Sequence, residues 1–447
     1  MDPTTLSIPE TLRLLSALSY DISSSSRLAG IPKAEKRFNG DRLVRKLLDA
    51  LAFFLHTRPN RGDHFAMTLT IVHGEIVATV AANTPDDIPH TGPSSPQVIL
   101  HTVWKHMLAY SGTTPKRTEN TEFTTYVLET HLPLLRSRLS KWRVCYESFR
   151  QRCSRYRQRD SLSVALVNYL DDADKIFCAT LAFSESAEPL SNQTIGEFMT
   201  HIRLSNNLSR QLAKLSDNDR EILSGLQRLS GKATITKRYL DVIRFGEKLA
   251  SPIIHINRVL QFCTDPKYQD FLTKTFGIRI LPNAPIRSID MPTRLESWTK
   301  AEVAVFLHRS YKTIGWSGRS RETIADTIDH LSGIVMDNIG SSRISGPHCE
   351  CLLMQHHHKE AQGELIMETY IAMSKPCCLQ CGIFLDAYNQ VVTNGPLFFI
   401  RGRDLHIRPS VVPSIDVALD ASIVEKMTKR LDLLIGYTLH AYMGNKY

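Results

Sequence analysis

Apolar positions recur with a helical period through most of the chain. Between Asp41 and Thr57 they return every three or four residues, which is typical of an amphipathic helix. From Val98 to about Gly340 the same period predicts a mainly helical region. The helices predicted there are 98–110, 122–159, 193–214, 218–229, 234–264, 298–310 and 321–338.

Residues 65–82 depart from this period and predict a β-hairpin. They are rich in threonine, valine and isoleucine, and His73-Gly74 supplies a turn between two strands, near 65–72 and 76–82. The N-terminal residues 1–40 are mixed and only weakly periodic, so they predict no element.

The C-terminal part of the chain alternates between helix and strand. The pattern predicts, in order, a helix over 349–361, a strand over 365–373, a helix over 377–389, a strand within 396–409 and a helix over 415–442. Such alternation is typical of an α/β fold.

Composition and charge narrow the class of protein. Hydrophobic residues make up 42% of the 447 residues and charged residues 22%, as in an ordinary globular protein. The net charge of +9 is compatible with a nucleic-acid partner without requiring one. There is no signal-peptide pattern and no run of ~18 apolar residues, so we expect a cytoplasmic or nuclear protein without a membrane partner. Clustered cysteines in such a protein are expected to bind metal or to react.

Candidate chemistry is concentrated in the segment Gly346–Phe384, which holds five of the nine cysteines. Cys378 and Cys381 have C-x-x-C spacing at the start of a predicted helix, where the helix dipole favours thiolates. His348 and Glu350 form H-C-E at the start of the preceding helix. If the two helix N-termini lie side by side, His348, Cys378 and Cys381 can bind Zn²⁺ and leave a fourth position for water. Glu350 would then carry protons as general acid and base.

Other interpretations of these residues stay open. A structural zinc site would need a fourth ligand, which a neighbouring cysteine or the run His356–His358 could supply. We expect that run to be an exposed helix end, because consecutive helical residues point in different directions. A thiol oxidoreductase would leave His348 and Glu350 without a role. The main alternative to an enzyme is a non-catalytic, zinc-stabilised binding protein whose helical region recognises a partner.

The motif resembles the cytidine-deaminase-like superfamily. The resemblance is closest to fungal nucleic acid or nucleotide deaminase-like proteins related to predicted bacterial toxin deaminases. It rests on His348-Cys349-Glu350, on the segment Tyr370–Cys381 and on Arg401-Gly402, and it covers residues 347–409. It implies a zinc-dependent hydrolytic deaminase acting on cytosine or adenine in a nucleotide or nucleic acid.

The resemblance also implies a fold. We expect a three-layer cytidine-deaminase-like α/β domain, a mixed sheet flanked by helices. Because this fold needs a helix and a hairpin before the H-x-E helix, we expect one domain split by a large all-α insertion. The expected parts are an N-terminal segment (1–40), the first helix and hairpin (41–83), the helical insertion (84–343) and the zinc-binding half (344–447).

Three further residues are candidates for substrate binding. Asn83 ends the second hairpin strand, where several superfamily members have an asparagine that contacts substrate. Arg401 and Arg403 follow a predicted strand close to the motif and could meet a phosphate.

A basic segment in the helical region is a candidate for nucleic-acid binding. Arg143, Arg150 and Arg157 belong to it, and aromatic residues are interleaved with its arginines. The aromatic residues also recur at helical spacing, so we expect them in a core and the arginines on an outer face.

Overall fold

The computed structural model divides the chain into two compact units. A sheet unit comprises Met1–Asp41, His64–Ile88 and Thr275–Tyr447, and a helical unit comprises Arg42–Asp63 and Pro89–Lys274. The residues that the structure describes are 8–22, 41–57, 64–83, 95–111, 117–159, 162–186, 189–227, 242–281, 298–312, 321–339, 347–360, 365–366, 369–393, 395–401, 410 and 412–445.

The sheet unit is built on a mixed β-sheet. Its strands are β1 (Phe65–Val72), β2 (Glu75–Ala82), β3 (Phe276–Ile280), β4 (Leu365–Ile366), β5 (Tyr370–Met373) and β6 (Phe399–Ile400). The strand order is β3-β2-β1-β5-β6, and β4 also pairs with β1. β1 is antiparallel to β2, β4 and β5, whereas β3 is parallel to β2 and β6 is parallel to β5.

The hairpin forms where the sequence predicts it. Phe65 pairs with Ala82 and Val72 pairs with Glu75, so all eight positions of each strand are matched. The connecting residues His73 and Gly74 both have positive φ, 49° and 86°. A two-residue turn between twisted strands requires this conformation, which glycine adopts without strain and other residues adopt rarely.

Six described helices belong to the sheet unit. They are α1 (Ile8–Ile22), α10 (Lys300–Lys312), α11 (Arg321–Ile339), α12 (Cys349–Glu360), α13 (Leu379–Val391) and α14 (Val417–Asn445). α12 packs on β1 and β2, and α13 packs on α12 and α14. The buried side chains of Leu353, Ile371 and Phe384 belong to the core that these elements share.

The helical unit contains the remaining helices of the described chain. They are α2 (Arg42–Phe54), α3 (Pro96–Tyr110), α4 (Arg117–Arg159), α5 (Val164–Glu185), α6 (Asn192–Lys214), α7 (Asp217–Gln227), α8 (Val242–Thr264), a 3-10 turn (Pro266–Tyr268) and α9 (Gln269–Leu272). α8 packs against α2, α3, α4, α5 and α6 and is therefore central to this unit. No helix among the described residues has both the length and the apolar character needed to cross a membrane.

Among the described elements of five or more residues, three are not predicted by the sequence pattern. α1 lies in residues 1–40, where Ile8, Leu12 and Leu15 do have helical spacing and are buried. α5 lies between two predicted helices. β3 is a five-residue strand within the region predicted to be helical, and so short an alternation carries little signal.

The mixed sheet with its many helices is compatible with the expected α/β class. The split of one domain by an all-α insertion stays a prediction. The two units also differ from the expected bounds. β3, α10 and α11 fall within the expected insertion (84–343) but belong to the sheet unit. α2, expected beside the hairpin, lies in the helical unit. The physical reason is its apolar face, because the Phe53 ring stacks on the rings of His131 and His255 at centroid distances of 4.9 and 4.3 Å.

Candidate metal centre

Two helix N-termini of the sheet unit bring the motif residues together. His348 immediately precedes α12, and Glu350 lies in the first turn of that helix. Cys378 is the N-cap of α13, and its sulfur accepts a hydrogen bond from the backbone N–H of Cys381. β5 lies between the two helices in the chain, so the polypeptide returns to the same end of the sheet before α13 begins.

The side chains of these residues form a tight buried group. Nδ1 of His348 lies 3.1 Å from Sγ of Cys381 and 3.3 Å from Sγ of Cys378, and the two sulfurs are 3.4 Å apart. Together with a Glu350 carboxylate oxygen, all the potential ligand atoms lie within 4.8 Å of one another, and all four residues are buried. A tetrahedral zinc ion with Zn–S near 2.3 Å and Zn–N near 2.0–2.1 Å separates its ligands by ~3.5–3.8 Å. The donor set and its spacing therefore fit a zinc ion.

The environment of the two cysteines favours one thiolate before any metal binds. The hydrogen bond with Cys381, together with the contact with His348, lowers the pKa of Cys378 to about 5. Burial raises the pKa of Cys381 well above its ordinary value, and the hydrogen bonds that its own thiol makes to neighbouring sulfurs act in the same direction. A metal binds thiolates, so its binding to this pair would displace the remaining proton.

Three other cysteines surround the group without joining it. Within the described residues, the metal-ligand group comprises only His348, Glu350, Cys378 and Cys381. The thiol of Cys349 donates to Oε2 of Glu350 at 3.3 Å, and the thiol of Cys377 donates to the carbonyl oxygen of Cys378 at 3.3 Å. The fourth member of the group is thus a carboxylate, and this arrangement disfavours closure by a third sulfur.

The His356–His358 run does not form a second centre. His356 pairs with Glu360 on its own helix, with 3.0 Å between Nε2 and Oε2. Nε2 of His357 lies 2.7 Å from Oγ1 of Thr68, and Nδ1 of His358 lies 3.0 Å from the Tyr388 hydroxyl oxygen. The three rings diverge as expected, but the expectation of an exposed helix end is wrong, because His357 is only 1% exposed.

Asn83 lies directly against the first turn of α12. Its Oδ1 accepts a hydrogen bond of 2.6 Å from the backbone N–H of Cys349, and its own backbone N–H donates to the carbonyl of His64 at 3.1 Å. Asn83 also lines a small pocket together with His348 and Glu350. With Oδ1 engaged, the side-chain amide group is the part of Asn83 that could donate to a ligand.

The other candidates lie elsewhere. Arg401 is exposed just after β6 and does not line this pocket, while Arg403 lies outside the described residues.

In the helical unit, the three candidate arginines all take part in ion pairs. Arg143 pairs with Glu147 at 2.9 Å and Arg150 pairs with Asp174 at 3.0 Å. Arg157 pairs with Asp171 at 2.7 Å. The pairs of Arg150 and Arg157 link α4 to α5, so these arginines support helix packing, and nucleic-acid binding by them stays a prediction.

Two aromatic residues of the same segment lie in the core, whereas Trp142 and Tyr156 are half-buried. Tyr146 and Phe149 are buried, and the Tyr146 ring stacks on Phe177 with centroids 3.7 Å apart. This agrees with an amphipathic helix whose apolar stripe faces inward.

Some residues at the site are not predicted by the motif analysis. His64 and Lys375 line the pocket, and Phe65 and Met373 contribute apolar side chains to the same lining.

Gln380, inside the C-x-x-C, binds the backbone of Ser410 through two hydrogen bonds of 2.7 and 2.9 Å. Lys375 is part of the Ser-Lys-Pro sequence before the cysteines, so its proximity to the motif was the available signal. The sequence offers no comparable signal for His64, because His64 reaches the pocket only through the pairing of strands in the sheet.

The segment that carries the candidate metal centre is similar to a deaminase family. Residues 347–409 match the protein-family model OTT_1508_deam, which represents a cytidine-deaminase-like family. The resemblance inferred from the motif is confirmed at this level, and the fungal subfamily stays a prediction. No curated protein and no solved structure matched the chain.

Proposed function

We propose that the protein is a zinc-dependent hydrolytic deaminase that acts on a cytosine or adenine base in a nucleotide or nucleic acid. One observation carries this proposal. The buried group of His348, Cys378 and Cys381, with the Glu350 carboxylate beside it, lies within the segment that matches a deaminase family.

The imidazole and the two thiolates would hold the metal. Nitrogen and sulfur donors of this kind are the usual ligands of zinc, and three protein ligands leave a position for a reactant. When bound, zinc supplies Lewis-acid activation, which lowers the pKa of water toward ~7.

Glu350 would carry the protons of the reaction. It accepts a proton from the attacking water and delivers it to the ring nitrogen, and the second proton goes to the departing amine. The reaction then balances as substrate amine plus water giving a ring carbonyl and ammonia. The Cys349 thiol, donating to Oε2 of Glu350, would orient the carboxylate. The amide group of Asn83 would donate to a polar atom of the base.

A split deaminase-like domain is part of the same proposal. It is supported by the sheet unit, which combines β1 and β2, from before residues 89–274, with residues 275–447 from after them. The helical unit would serve substrate access or partner binding.

The test is zinc content followed by turnover. Wild type should bind about one zinc per chain, and His348→Ala should lose it while the fold measured by circular dichroism persists. The exposed His308 gives a matched control, His308→Ala, which should retain zinc.

Wild type should release ammonia from at least one member of a panel of nucleosides, nucleotides and oligonucleotides. Glu350→Ala should keep its zinc and lose turnover, whereas Glu322→Ala, at an exposed position of α11, should behave as wild type. Zinc without turnover on the whole panel would favour a zinc-stabilised binding protein. Zinc loss together with unfolding would favour a structural site.

A further inference from the structure

Three neighbouring strands end beside the candidate metal centre and place a row of polar residues there. The antiparallel pairing of β1 with β5 continues beyond its last ladder pair. The backbone N–H of Ser374 donates to the carbonyl of Phe65, and the backbone N–H of Phe65 donates to the Ser374 hydroxyl oxygen, both at 2.9 Å. The next residues outward on these two strands are His64 and Lys375. On the other side of β1, the carbonyl of His64 accepts a hydrogen bond from the backbone N–H of Asn83. Asn83, His64 and Lys375 thus follow one another across the end of the sheet.

This row forms one wall of the pocket that contains His348 and Glu350. Asn83, His64 and Lys375 all line it, and Asn83 is itself fixed to the start of α12 by the Cys349 N–H. A rigid strand end and a helix N-terminus therefore set the positions of the wall. Side chains held by such elements are suited to recognising one part of a ligand while another part reacts.

The charges around the pocket favour an anion. Glu350 is the acidic residue of its lining, whereas Lys375 is cationic at neutral pH and His64 can donate from its ring. A divalent cation held by two thiolates contributes no net charge. The N-termini of α12 and α13 face the same region and add positive partial charge.

We propose that Lys375 and His64 form a phosphate subsite, which selects phosphate-bearing substrates over a free base or nucleoside. This inference rests on the proposed function, because it assigns the residues of that same site that recognise the phosphate. The phosphate is either that of a mononucleotide or a backbone phosphate of a single strand. In both, a cationic amine and a ring N–H meet the phosphate oxygens, and Asn83 and Glu350 meet the base.

The experiment compares nucleosides with their monophosphates on the zinc-loaded protein. Cytidine is measured against its 5′-monophosphate and adenosine against its own, and a short single-stranded oligonucleotide is the third arm. Wild type, Lys375→Gln and His64→Gln are compared with Lys359→Gln, which removes an exposed lysine at the far end of α12. The quantity is the ratio of kcat/KM for the phosphorylated over the unphosphorylated substrate.

We expect wild type and Lys359→Gln to prefer the phosphorylated substrate by about ten-fold or more, the effect of one charge-assisted hydrogen bond. Lys375→Gln should bring the ratio close to one, and His64→Gln should lower it less. The wild-type preference should weaken as salt is raised. If the oligonucleotide is preferred over the mononucleotide, and Lys375→Gln removes that preference as well, the phosphate is assigned to a nucleic-acid strand.

Two results would overturn the inference while leaving the deaminase intact. One is equal turnover of nucleoside and nucleotide. The other is an equal loss on both substrates in Lys375→Gln, which would mean that Lys375 acts on the base or on Glu350.

If no substrate is deaminated although zinc is bound, the proposed function fails, and calorimetry of nucleoside and nucleotide binding decides the subsite. Tighter nucleotide binding that depends on Lys375 upholds it, and its absence overturns it.

Discussion

Oδ1 of Asn83 accepts a 2.6 Å hydrogen bond from the backbone N–H of Cys349, a residue 266 positions later in the chain. The bond joins the end of the hairpin to the first turn of the helix that carries Glu350. The N–H groups at a helix N-terminus have no acceptor within the helix, and here a side chain from another element supplies one. The position of Glu350 in the pocket consequently depends on a residue encoded far upstream of the motif.

Replacing Asn83 should separate this structural role from substrate binding. Asn83→Ala should lower the free energy of unfolding by ~1 kcal/mol, the usual cost of losing an acceptor at a helix N-terminus. Asn83→Asp keeps the acceptor oxygen and should retain most of that stability, but it loses the amide donor and should lower kcat/KM. Urea unfolding of the zinc-loaded protein and turnover measure the two effects. Full stability in Asn83→Ala would contradict the capping role.

The thiol of Cys349 should influence turnover through Glu350. Its hydrogen bond to Oε2 of Glu350 is 3.3 Å long, and Cys349→Ala removes it without touching a proposed metal ligand. We expect kcat to fall by about ten-fold with KM nearly unchanged, because a misoriented carboxylate transfers protons less well. Cys349→Ser keeps a donor and should recover much of the loss.

The control for this experiment is Cys178→Ser, at an exposed cysteine in the helical unit. Zinc content should be the same in all three variants. A loss in Cys349→Ala that Cys349→Ser does not recover would contradict the role of the hydrogen bond to Glu350.

The stability of the helical unit should depend on pH through His131. Burial lowers the pKa of this fully enclosed ring to about 4, below its ordinary 6.5. The folded state therefore holds the neutral ring, and unfolding allows it to bind a proton once the pH falls below 6.5. Stability is complete above that pH and should be lost progressively down to pH 4, by on the order of 3 kcal/mol.

The measurement is the difference in pH dependence between wild type and His131→Phe, which keeps a ring beside Phe53 but cannot be protonated. Denaturant unfolding followed from pH 7 to pH 4 should show a steeper fall for wild type. Parallel curves would contradict the buried neutral state of His131.

The arginines that link α4 to α5 should contribute little to stability. Arg150 is 62% exposed and pairs with Asp174 at 3.0 Å, and exposed pairs of this kind contribute ~0–1 kcal/mol. Arg150→Gln should therefore lower the free energy of unfolding by less than ~1 kcal/mol. If the same change, made together with Arg143→Gln and Arg157→Gln, weakens oligonucleotide binding and its salt dependence, these arginines bind nucleic acid as well.

Local chemistry explains how much of the site the sequence predicts. The H-C-E and C-x-x-C spacings, the helix starts at Cys349 and Leu379 and the turn at His73-Gly74 depend on residues close together in the chain. Period and capping are local properties, so they can be inferred from a short window. The metal-ligand group of His348, Glu350, Cys378 and Cys381 was predictable for the same reason, since all four lie in one helix-strand-helix segment.

The sequence by itself determined the chemical nature of the site and most of the helices around it. Tertiary structure decided what depends on distant packing, namely the parallel pairing of β3 with β2, the position of α2 in the helical unit, and the row of Asn83, His64 and Lys375. A five-residue strand is stable only because a neighbouring strand pairs with it. The sequence of an amphipathic helix shows that one face is apolar, but it does not show against which other elements that face packs. The pocket wall has the same origin, because strands far apart in the chain must pair before their ends can form one surface.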